Sequence, residues 1–368
     1  MKIAAVEVIP YALPFREPYV TARGRLDRRE MVLLRLRDED GLVGLGEAVP
    51  LSLRGGTALV EVVRELEALT GLPRGDVESL RASSVGLSAP AKCAVETALL
   101  DLRGRRAGVG AAPSSFRSSL GAHSATNDER SDDSVACNAT LVAGEPAAVA
   151  EDALRWAAEG FETFKLKLGA GDDVGQVRAV REALGPAARI RVDANAAWDL
   201  ASGRQVLGEL EPFEIELAEQ PVATLEEMAA LAAGTSIPLA ADESVASRAD
   251  AERAIVAGAC RYTGIKLSKV GGSEEALAIA DVLPAYVSSA LDGPVGIAAA
   301  AQVAQTLSET DRPERLQLAH GLATQRLFAA TIASVECELR GGKLHPPPGP
   351  GLGVEIDEDA LAAHRLDF

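Results

Sequence analysis

The chain has 368 residues, with 37 Lys and Arg against 54 Asp and Glu, so its formal charge is −17. This length exceeds the ~250 residues typical of a (β/α)8 barrel and leaves room for a second, smaller domain. The negative charge disfavours nucleic acid and anionic membranes as partners, and an anionic small-molecule substrate would need local compensation from a metal ion or clustered lysines.

Cysteine usage and the N-terminal sequence both indicate the cellular compartment in which the protein is expected. The four cysteines form no CxxC pair, and a chain of this length does not need disulfides, so we expect buried thiols in a reducing environment. Glu7 and Pro10 interrupt the N-terminal segment before a signal-like apolar run develops, and no run of ~18 apolar residues follows. We therefore expect a soluble protein of the cytoplasm.

The first part of the chain predicts a small α+β domain over residues 1–103. Residues 1 to about 60 have the pattern of antiparallel strands, with a hairpin turn at the tetrapeptide 38–41. Segments 58–70 and 89–106 carry apolar residues at three- and four-residue spacing, which is typical of amphipathic helices. The stretch 104–134 is rich in Gly, Ser, Arg and Asp without apolar periodicity, and it predicts a flexible linker; a regulatory tail is the alternative.

From residue 135 to about 340 the pattern changes to short apolar strands that alternate with helices. One of these helices has Val174, Val177, Val180 and Leu184 on one face and ends at Gly185. Eight strand candidates separated by helices predict a closed parallel barrel. The candidates are ACNATLV, FETFKLKLG, RIRVDAN, FEIELAEQ, PLAADES, YTGIKLSKV, AYVSSAL and RLQLAHGL.

Five charged residues lie near the C-terminal ends of successive strands, 26, 26, 23 and 24 residues apart: Lys167, Asp193, Glu219, Asp242 and Lys266. Residues one repeat apart lie at the same height on neighbouring strands, at the end of the barrel where active sites form. Three carboxylates would repel one another without a cation, and their oxygens suit Mg²⁺ or Mn²⁺. The structural alternative is that each Asp only caps the following helix.

Lysines complete this predicted site. Lys165 and Lys167 alternate on one strand, so both side chains point into the barrel, and their mutual repulsion should lower a pKa until Lys167 can act as a base. Lys266 lies opposite them, across the predicted metal. Two lysines that flank a metal-bound carboxylate could remove an α-proton and stabilise the resulting enediolate.

The motifs KLK, DANAAW, EQP, ADES and GIKLSKVGG, in this order and spacing, resemble the muconate-lactonizing-enzyme subgroup of the enolase superfamily. The resemblance spans nearly the whole chain, including GLGEA in an N-terminal capping domain and a C-terminal segment, 341–368, that in the family returns to that domain. It implies an α/β fold, a modified (β/α)8 barrel with an α+β capping domain. The long, polar segment 104–134 departs from the family pattern.

The resemblance also implies residue roles. The implied Mg²⁺ ligands are Asp193, Glu219 and Asp242. Lys167 would be the base and Lys266 the opposing lysine, with Lys165 tuning Lys167. Asn195 and Glu243 would support these groups from behind.

Within the subgroup, SSALDGPVGIAAAAQVAQ after the seventh strand and HGLAT after the eighth resemble o-succinylbenzoate synthases of menaquinone biosynthesis. These enzymes dehydrate 2-succinyl-6-hydroxy-2,4-cyclohexadiene-1-carboxylate to 2-succinylbenzoate. The resemblance implies that the succinyl tail lies near Ser288, Ser289 and the loop Tyr19–Gly24, where Arg23 could meet its carboxylate. An exposed loop arginine that is merely solvated is the alternative for Arg23.

Other members of the subgroup share the same lysines and metal site. N-succinylamino acid racemase is the main alternative, and muconate cycloisomerases also remain open. Dipeptide epimerases usually carry a DxD motif after the eighth strand, which this chain lacks. A non-catalytic ligand-binding barrel is an alternative of another class, and the oligomeric state is left open.

Overall fold

The computed structural model describes residues 1–21, 24–51, 56–71, 77–110, 134–308 and 318–367. No helix within these ranges is long and apolar enough to cross a membrane. All four cysteines are free thiols, and burial raises the pKa of Cys137 and Cys337 to about 12. These two thiols are therefore protonated at neutral pH.

An antiparallel sheet of three strands forms the N-terminal domain, in the order β1 (Ile3–Thr21), β2 (Gly24–Asp38) and β3 (Val43–Ala48). The predicted turn between β2 and β3 is present. The Asp38 carboxylate accepts hydrogen bonds from the backbone N–H groups of Asp40 (3.0 Å) and Leu42 (2.9 Å), and Gly41 takes a positive φ of 86° that suits glycine.

Three helices cover one face of this sheet: α1 (Leu59–Ala68), α2 (Val77–Ser84) and α3 (Ala89–Ala107). The two glycines of β3 let α3 lie directly on the strand, because a Cβ on Gly46 would be 1.9 Å from the Ala94 carbonyl oxygen and one on Gly44 would be 2.2 Å from that of Ala98. Helix α3 includes residues 104–107, so the first four residues of the predicted linker are helical. Most of the remaining linker, 111–133, lies outside the described residues.

The second domain contains a parallel sheet whose described strands follow the order β5 to β11, so neighbouring strands are also consecutive in the sequence. These strands are β5 (Asn138–Leu141), β6 (Thr163–Lys167), β7 (Arg189–Asp193), β8 (Ile215–Glu219), β9 (Leu239–Ala241), β10 (Tyr262–Ile265) and β11 (Ala285–Val287). The accompanying helices are α4 (Pro146–Ala158), α5 (Asp173–Leu184), α6 (Leu200–Leu210), α7 (Leu225–Ala232), α8 (Arg248–Ala257), α9 (Leu267–Val270), α10 (Ser273–Val282) and α11 (Pro294–Ser308). Helix α5 ends where Gly185 takes a φ of 75°, as its sequence predicts.

Residues 319–321 close the gap between the first and last strands of this sheet. The Asn138 N–H donates to the His320 carbonyl (2.9 Å), and the Ser289 N–H donates to the Gly321 carbonyl (2.9 Å). This segment is the end of the eighth predicted strand, shortened to isolated bridges; residues 315–317 of that prediction lie outside the described ranges. The structure therefore confirms the predicted α/β class, a barrel-type domain with an α+β capping domain.

The C-terminal part of the chain lies against both domains. Its short strands are β12 (Ala333–Val335), β13 (Glu338–Arg340), β14 (Lys343–His345) and β15 (Glu355–Ile356); β14 pairs with β4 (Val135–Ala136), and α12 (Glu358–His364) follows. The Leu352 N–H donates to the buried Asp101 carboxylate on α3 (2.7 Å), and the Leu366 N–H donates to the Pro10 carbonyl (2.9 Å). Both contacts tie residues 341–367 to the capping domain.

Candidate active site

A cleft with about 720 Å³ of empty space, including its open mouth, lies at the C-terminal ends of the barrel strands. Its floor carries Lys165, Lys167 and Asn195 on one side and Lys266 on the other. Strands β6 and β10 lie four positions apart in the sheet order, so their lysines approach the cleft from opposite sides of the barrel. The capping domain covers the cleft with Tyr19, Leu26, Arg29 and Leu51.

Strand register explains why the carboxylates meet. Lys167 pairs with Asp193 across β6 and β7, and Asp193 pairs with Glu219 across β7 and β8. Asp242 directly follows β9 at the same end of the sheet. All three carboxylates are fully or almost fully buried. The structure therefore brings together all five residues that the repeat spacing selected.

The lysines bind these carboxylates directly. Lys165 Nζ lies 2.8 Å from Asp193 Oδ2 and 2.7 Å from Glu219 Oε2. Lys167 Nζ donates to the same Asp193 oxygen (2.6 Å) and to Asn195 Oδ1 (2.9 Å). Lys266 donates to Asp242 Oδ2. Each buried charge thus has a partner of opposite sign, which burial at this depth requires.

The pKa of Lys167 is raised in this arrangement, opposite to the prediction from the KxK motif. Burial lowers the pKa most, and Lys165 lowers it too, as predicted, but the charge interactions with Asp193, Tyr19 and Glu219 together outweigh both. The same carboxylate, held between two ammonium groups, has a pKa far below the usual range, although its burial acts in the other direction. The ion-paired lysine is therefore the protonated form.

The donor set fits a divalent cation in its chemistry. Among the described residues, no group of three or more His, Cys, Asp or Glu side chains is arranged to hold a metal ion, and lysine amino groups bind the carboxylates of the site. Glu219 Oε1, however, is buried and has no hydrogen-bond partner within the part of the chain that the structure describes. A buried carboxylate oxygen without a partner is costly, and a cation that binds oxygen ligands would satisfy it.

The other predicted site residues differ in how the structure places them. Asn195 takes a positive φ of 47°, donates its N–H to Asp193 Oδ1 (2.9 Å) and donates its side-chain amide to Glu243 Oε1 (3.4 Å). Asn195 thus contacts both Lys167 and Asp193, and Glu243 contacts Asn195. Ser288 and Ser289 line the cleft. Arg23 lies outside the described residues.

Two residues of the site were missed by sequence analysis. Lys269, one turn after Lys266, binds Asp242 through Oδ1 (2.9 Å) and also the Gly264 carbonyl (3.1 Å). Tyr286 in β11 donates its hydroxyl to Glu219 Oε2 from beneath the cleft. The second lysine of GIKLSKVGG was a visible signal for Lys269, whereas Tyr286 is an ordinary strand residue in sequence and carries none.

The Tyr286 hydroxyl binds Glu219 Oε2 and so leaves Glu219 Oε1 as the oxygen that a cation would bind. We expect Tyr286→Phe to weaken Mg²⁺ binding roughly tenfold, because hydrogen bonds to ligand carboxylates orient them. Isothermal titration with Mg²⁺ measures this. Tyr262→Phe, in the same small apolar cluster as Tyr286, is the matched control and should leave the affinity unchanged. Equal affinities for the Tyr286 variant and the parent protein would contradict the role.

Comparison with known proteins agrees with this architecture. Residues 3–112 match the family described as mandelate racemase / muconate lactonizing enzyme, N-terminal domain, and residues 148–360 match the family described as enolase C-terminal domain-like. The chain therefore belongs to the enolase superfamily, in its mandelate racemase / muconate lactonizing enzyme branch.

Individual relatives have several different activities. An o-succinylbenzoate synthase from Thermobifida fusca is 38% identical over 245 residues, which cover 64% of this chain and 72% of the relative. The structure of a muconate lactonizing enzyme from Pseudomonas fluorescens, complexed with muconolactone, superposes with a TM-score of 0.87 at 29% identity and 99% coverage of both chains. A dipeptide epimerase from Enterococcus faecalis, complexed with Mg and a dipeptide, gives a TM-score of 0.84 at 26% identity, over 96% of this chain and 100% of its own.

Proposed function

We propose that this protein is an o-succinylbenzoate synthase, which dehydrates 2-succinyl-6-hydroxy-2,4-cyclohexadiene-1-carboxylate to 2-succinylbenzoate for menaquinone biosynthesis. The observation that carries the proposal is the pair Lys167 and Lys266, which face one cleft from opposite sides of the barrel, each bonded to a buried carboxylate. The 38% identity to the Thermobifida enzyme supports this particular substrate. A small carboxylate substrate fits a cleft whose floor is lined by three ammonium groups.

Asp193, Glu219 and Asp242 would hold a Mg²⁺ ion, as the oxygen donor set and the Mg in the dipeptide epimerase structure suggest. A cation held there would neutralise part of the negative charge of these carboxylates, which would weaken their ion pairs with the lysines. It would also polarise the substrate carboxylate. Mn²⁺ has the same ligand preference and is the alternative ion.

Lys167 would remove the proton from the carbon next to the carboxylate. Its amine must be neutral for this step, and Asn195 Oδ1, at 2.9 Å, positions it. The ammonium formed would then give its proton to the departing hydroxyl group. A C–H bond and a C–O bond break, a C=C bond forms and water leaves, so Lys167 ends the cycle as it began. Lys266, paired with Asp242, would stay protonated and stabilise the negative charge that develops on the substrate.

The second candidate is N-succinylamino acid racemase. The same opposed lysines favour it, because a racemase needs one base on each face of the α-carbon. Ser288 and Ser289 lie beside the cleft in either case and would meet the succinyl group that both substrates carry.

The two reactions can be separated with the purified protein in Mg²⁺. We expect conversion of the cyclohexadiene substrate to the aromatic product, followed by ultraviolet absorbance. In parallel, N-succinyl amino acids are incubated in D₂O, and α-deuterium incorporation is followed by NMR. Racemisation without dehydration would refute the proposal in favour of the second candidate. Binding of 2-succinylbenzoate with neither activity would instead support a non-catalytic barrel.

A further inference from the structure

The loop 288–293 forms one wall of the cleft and has a strained backbone. Four consecutive residues, Ser288, Ser289, Ala290 and Leu291, line the cleft. Leu291 takes a φ of 66°, a left-handed conformation that a leucine rarely adopts. Such a conformation persists only where the surroundings hold it, so the contacts of this loop decide the shape of the wall.

The loop is held from within by Asp292. Its buried carboxylate accepts hydrogen bonds from the Ser289 hydroxyl (2.7 Å) and the Ala290 N–H (2.6 Å), while its own N–H donates to the Ser289 hydroxyl (2.9 Å). These bonds close a tight turn around Leu291. From the capping domain, the buried Arg29 donates to the Ala290 carbonyl (3.0 Å) and to the Pro50 carbonyl (2.7 Å).

Glu47, the acidic residue of GLGEA in β3, fixes the far end of the loop. Its side chain is buried; one oxygen accepts the Gly293 N–H (2.7 Å) and the other accepts the Tyr11 hydroxyl (2.8 Å). A Cβ on Gly293 would lie 2.3 Å from the Tyr11 hydroxyl, and a Cβ on Gly296 would lie 2.7 Å from Glu47. The glycines of DGPVG therefore let the start of helix α11 approach the carboxyl group, and a helix N-terminus favours such a group.

We propose that Glu47 and Arg29 are positioning residues through which the capping domain holds the loop 288–293 in its strained conformation and thereby sets the affinity for substrate. Neither residue acts on the reacting atoms. Glu47 acts through the loop alone, whereas Arg29 holds the Ala290 carbonyl of the loop and also lines the cleft itself. The inference rests on the cleft being a substrate site, but it holds for any reaction of the subgroup.

The protonation of Glu47 adds a pH dependence. Burial and the nearby Asp292 raise the pKa of Glu47 to about 8, against a contrary effect of the bonds from Tyr11, Gly293 and Gly296. The charged and titratable groups around this cluster are Tyr11, Arg29, Asp292, Cys93 and Glu336. The Tyr11 hydroxyl also lies 3.7 Å from the Met31 sulfur. When Glu47 is protonated, its carboxyl group can donate to the Tyr11 oxygen while the Tyr11 hydroxyl donates to the Met31 sulfur.

This pKa gives a stability prediction with a defined sign. Because the folded-state pKa lies above the ordinary value of 4.5, the folded protein retains this proton while the unfolded chain loses it. The contribution of Glu47 to stability is complete below pH 4.5 and falls as the pH rises to about 8. Glu47→Gln, which mimics the protonated form, should therefore flatten the fall in Tm between pH 5 and pH 8, as measured by calorimetry. An identical pH profile in both proteins would contradict a titrating Glu47.

The positioning role is tested by hydrogen–deuterium exchange of the full-length protein, read on peptides that cover residues 288–297. We expect Glu47→Ala to speed exchange there roughly tenfold, while strands β6 to β8 keep their protection. Glu47→Gln keeps an acceptor for the Gly293 N–H and should restore most of the protection. Glu67→Ala, on the exposed face of α1, is the matched control. Unchanged exchange in 288–297 would overturn the proposal.

Steady-state kinetics give the second readout. KM should rise roughly tenfold in Glu47→Ala and in Arg29→Met, with kcat changed less than threefold, and Glu47→Gln should restore KM below pH 8. Equal losses in kcat with an unchanged KM would indicate a merely structural role and overturn the proposal. If Glu47→Ala does not fold, Tyr11→Phe and Arg29→Met carry both measurements. If no subgroup substrate is turned over, the proposed function fails, while the exchange experiment still decides this inference.

Discussion

Replacing Lys167 by alanine should lower kcat/KM by roughly 10²–10⁴-fold, the usual contribution of a general base. The reason is that Asp193 Oδ2 and Asn195 Oδ1 hold Lys167 Nζ at the cleft floor, so the substitution removes a positioned base. Substrate binding should change little, because the substrate carboxylate is expected to meet the metal site and Lys266. The loss should therefore appear in kcat.

The measurement is initial-rate kinetics in saturating Mg²⁺, with circular dichroism to verify folding. Removing Lys167 leaves Asp193 bound to Lys165 Nζ at 2.8 Å and to the Asn195 N–H at 2.9 Å, so the variant keeps a buried ion pair there. Lys2→Ala is the control, since Lys2 is an exposed lysine of the capping domain. Turnover by Lys167→Ala within threefold of the parent protein would remove Lys167 from the mechanism.

The racemase alternative predicts a distinct result for the same kind of variant. If the protein racemises N-succinyl amino acids, Lys167→Ala should still exchange the α-proton of one enantiomer, and Lys266→Ala that of the other. A dehydratase that uses Lys167 as its base should lose dehydration of the cyclohexadiene substrate in Lys167→Ala. No α-proton exchange with either enantiomer of an N-succinyl amino acid is needed for that reaction. Deuterium incorporation in D₂O separates these outcomes.

Loss of a carboxylate from the metal site should have the second large effect. We expect EDTA to abolish activity and added Mg²⁺ to restore it, and Glu219→Gln to lower Mg²⁺ affinity at least tenfold, because an amide is a weaker ligand than a carboxylate. The variant also loses one of the two carboxylates that bind the buried Lys165, which then keeps only Asp193 at 2.8 Å as its ion-pair partner. Its Tm without metal should therefore fall.

A neighbouring residue separates metal binding from general destabilisation. Glu216 lies on the same strand as Glu219 and pairs with the buried Arg191 rather than with the cleft lysines. Glu216→Gln should also lower Tm but leave Mg²⁺ affinity unchanged. Full activity of the parent protein in EDTA, after dialysis against chelator, would refute the metal site.

Repeat spacing allowed the cleft residues to be predicted from sequence. Lys167, Asp193 and Glu219 lie one strand–helix unit apart, and parallel strands in a closed barrel have to bring such residues to one end. The glycine at 185 and the turn at Asp38 were likewise predictable, because both follow from local backbone preferences.

Contacts between distant segments could not be predicted in this way. The direction of the Lys167 pKa depends on a 2.6 Å contact to Asp193, since charge interactions change steeply with distance and burial. Tyr286 reaches Glu219 from a strand 67 residues later, and Glu47 binds Gly293 across 246 residues. The sequence by itself determined the fold class and the end of the barrel where charged groups gather, because those depend on periodicity; only the tertiary structure decided which groups pair, because pairing depends on side-chain positions that chain order does not encode.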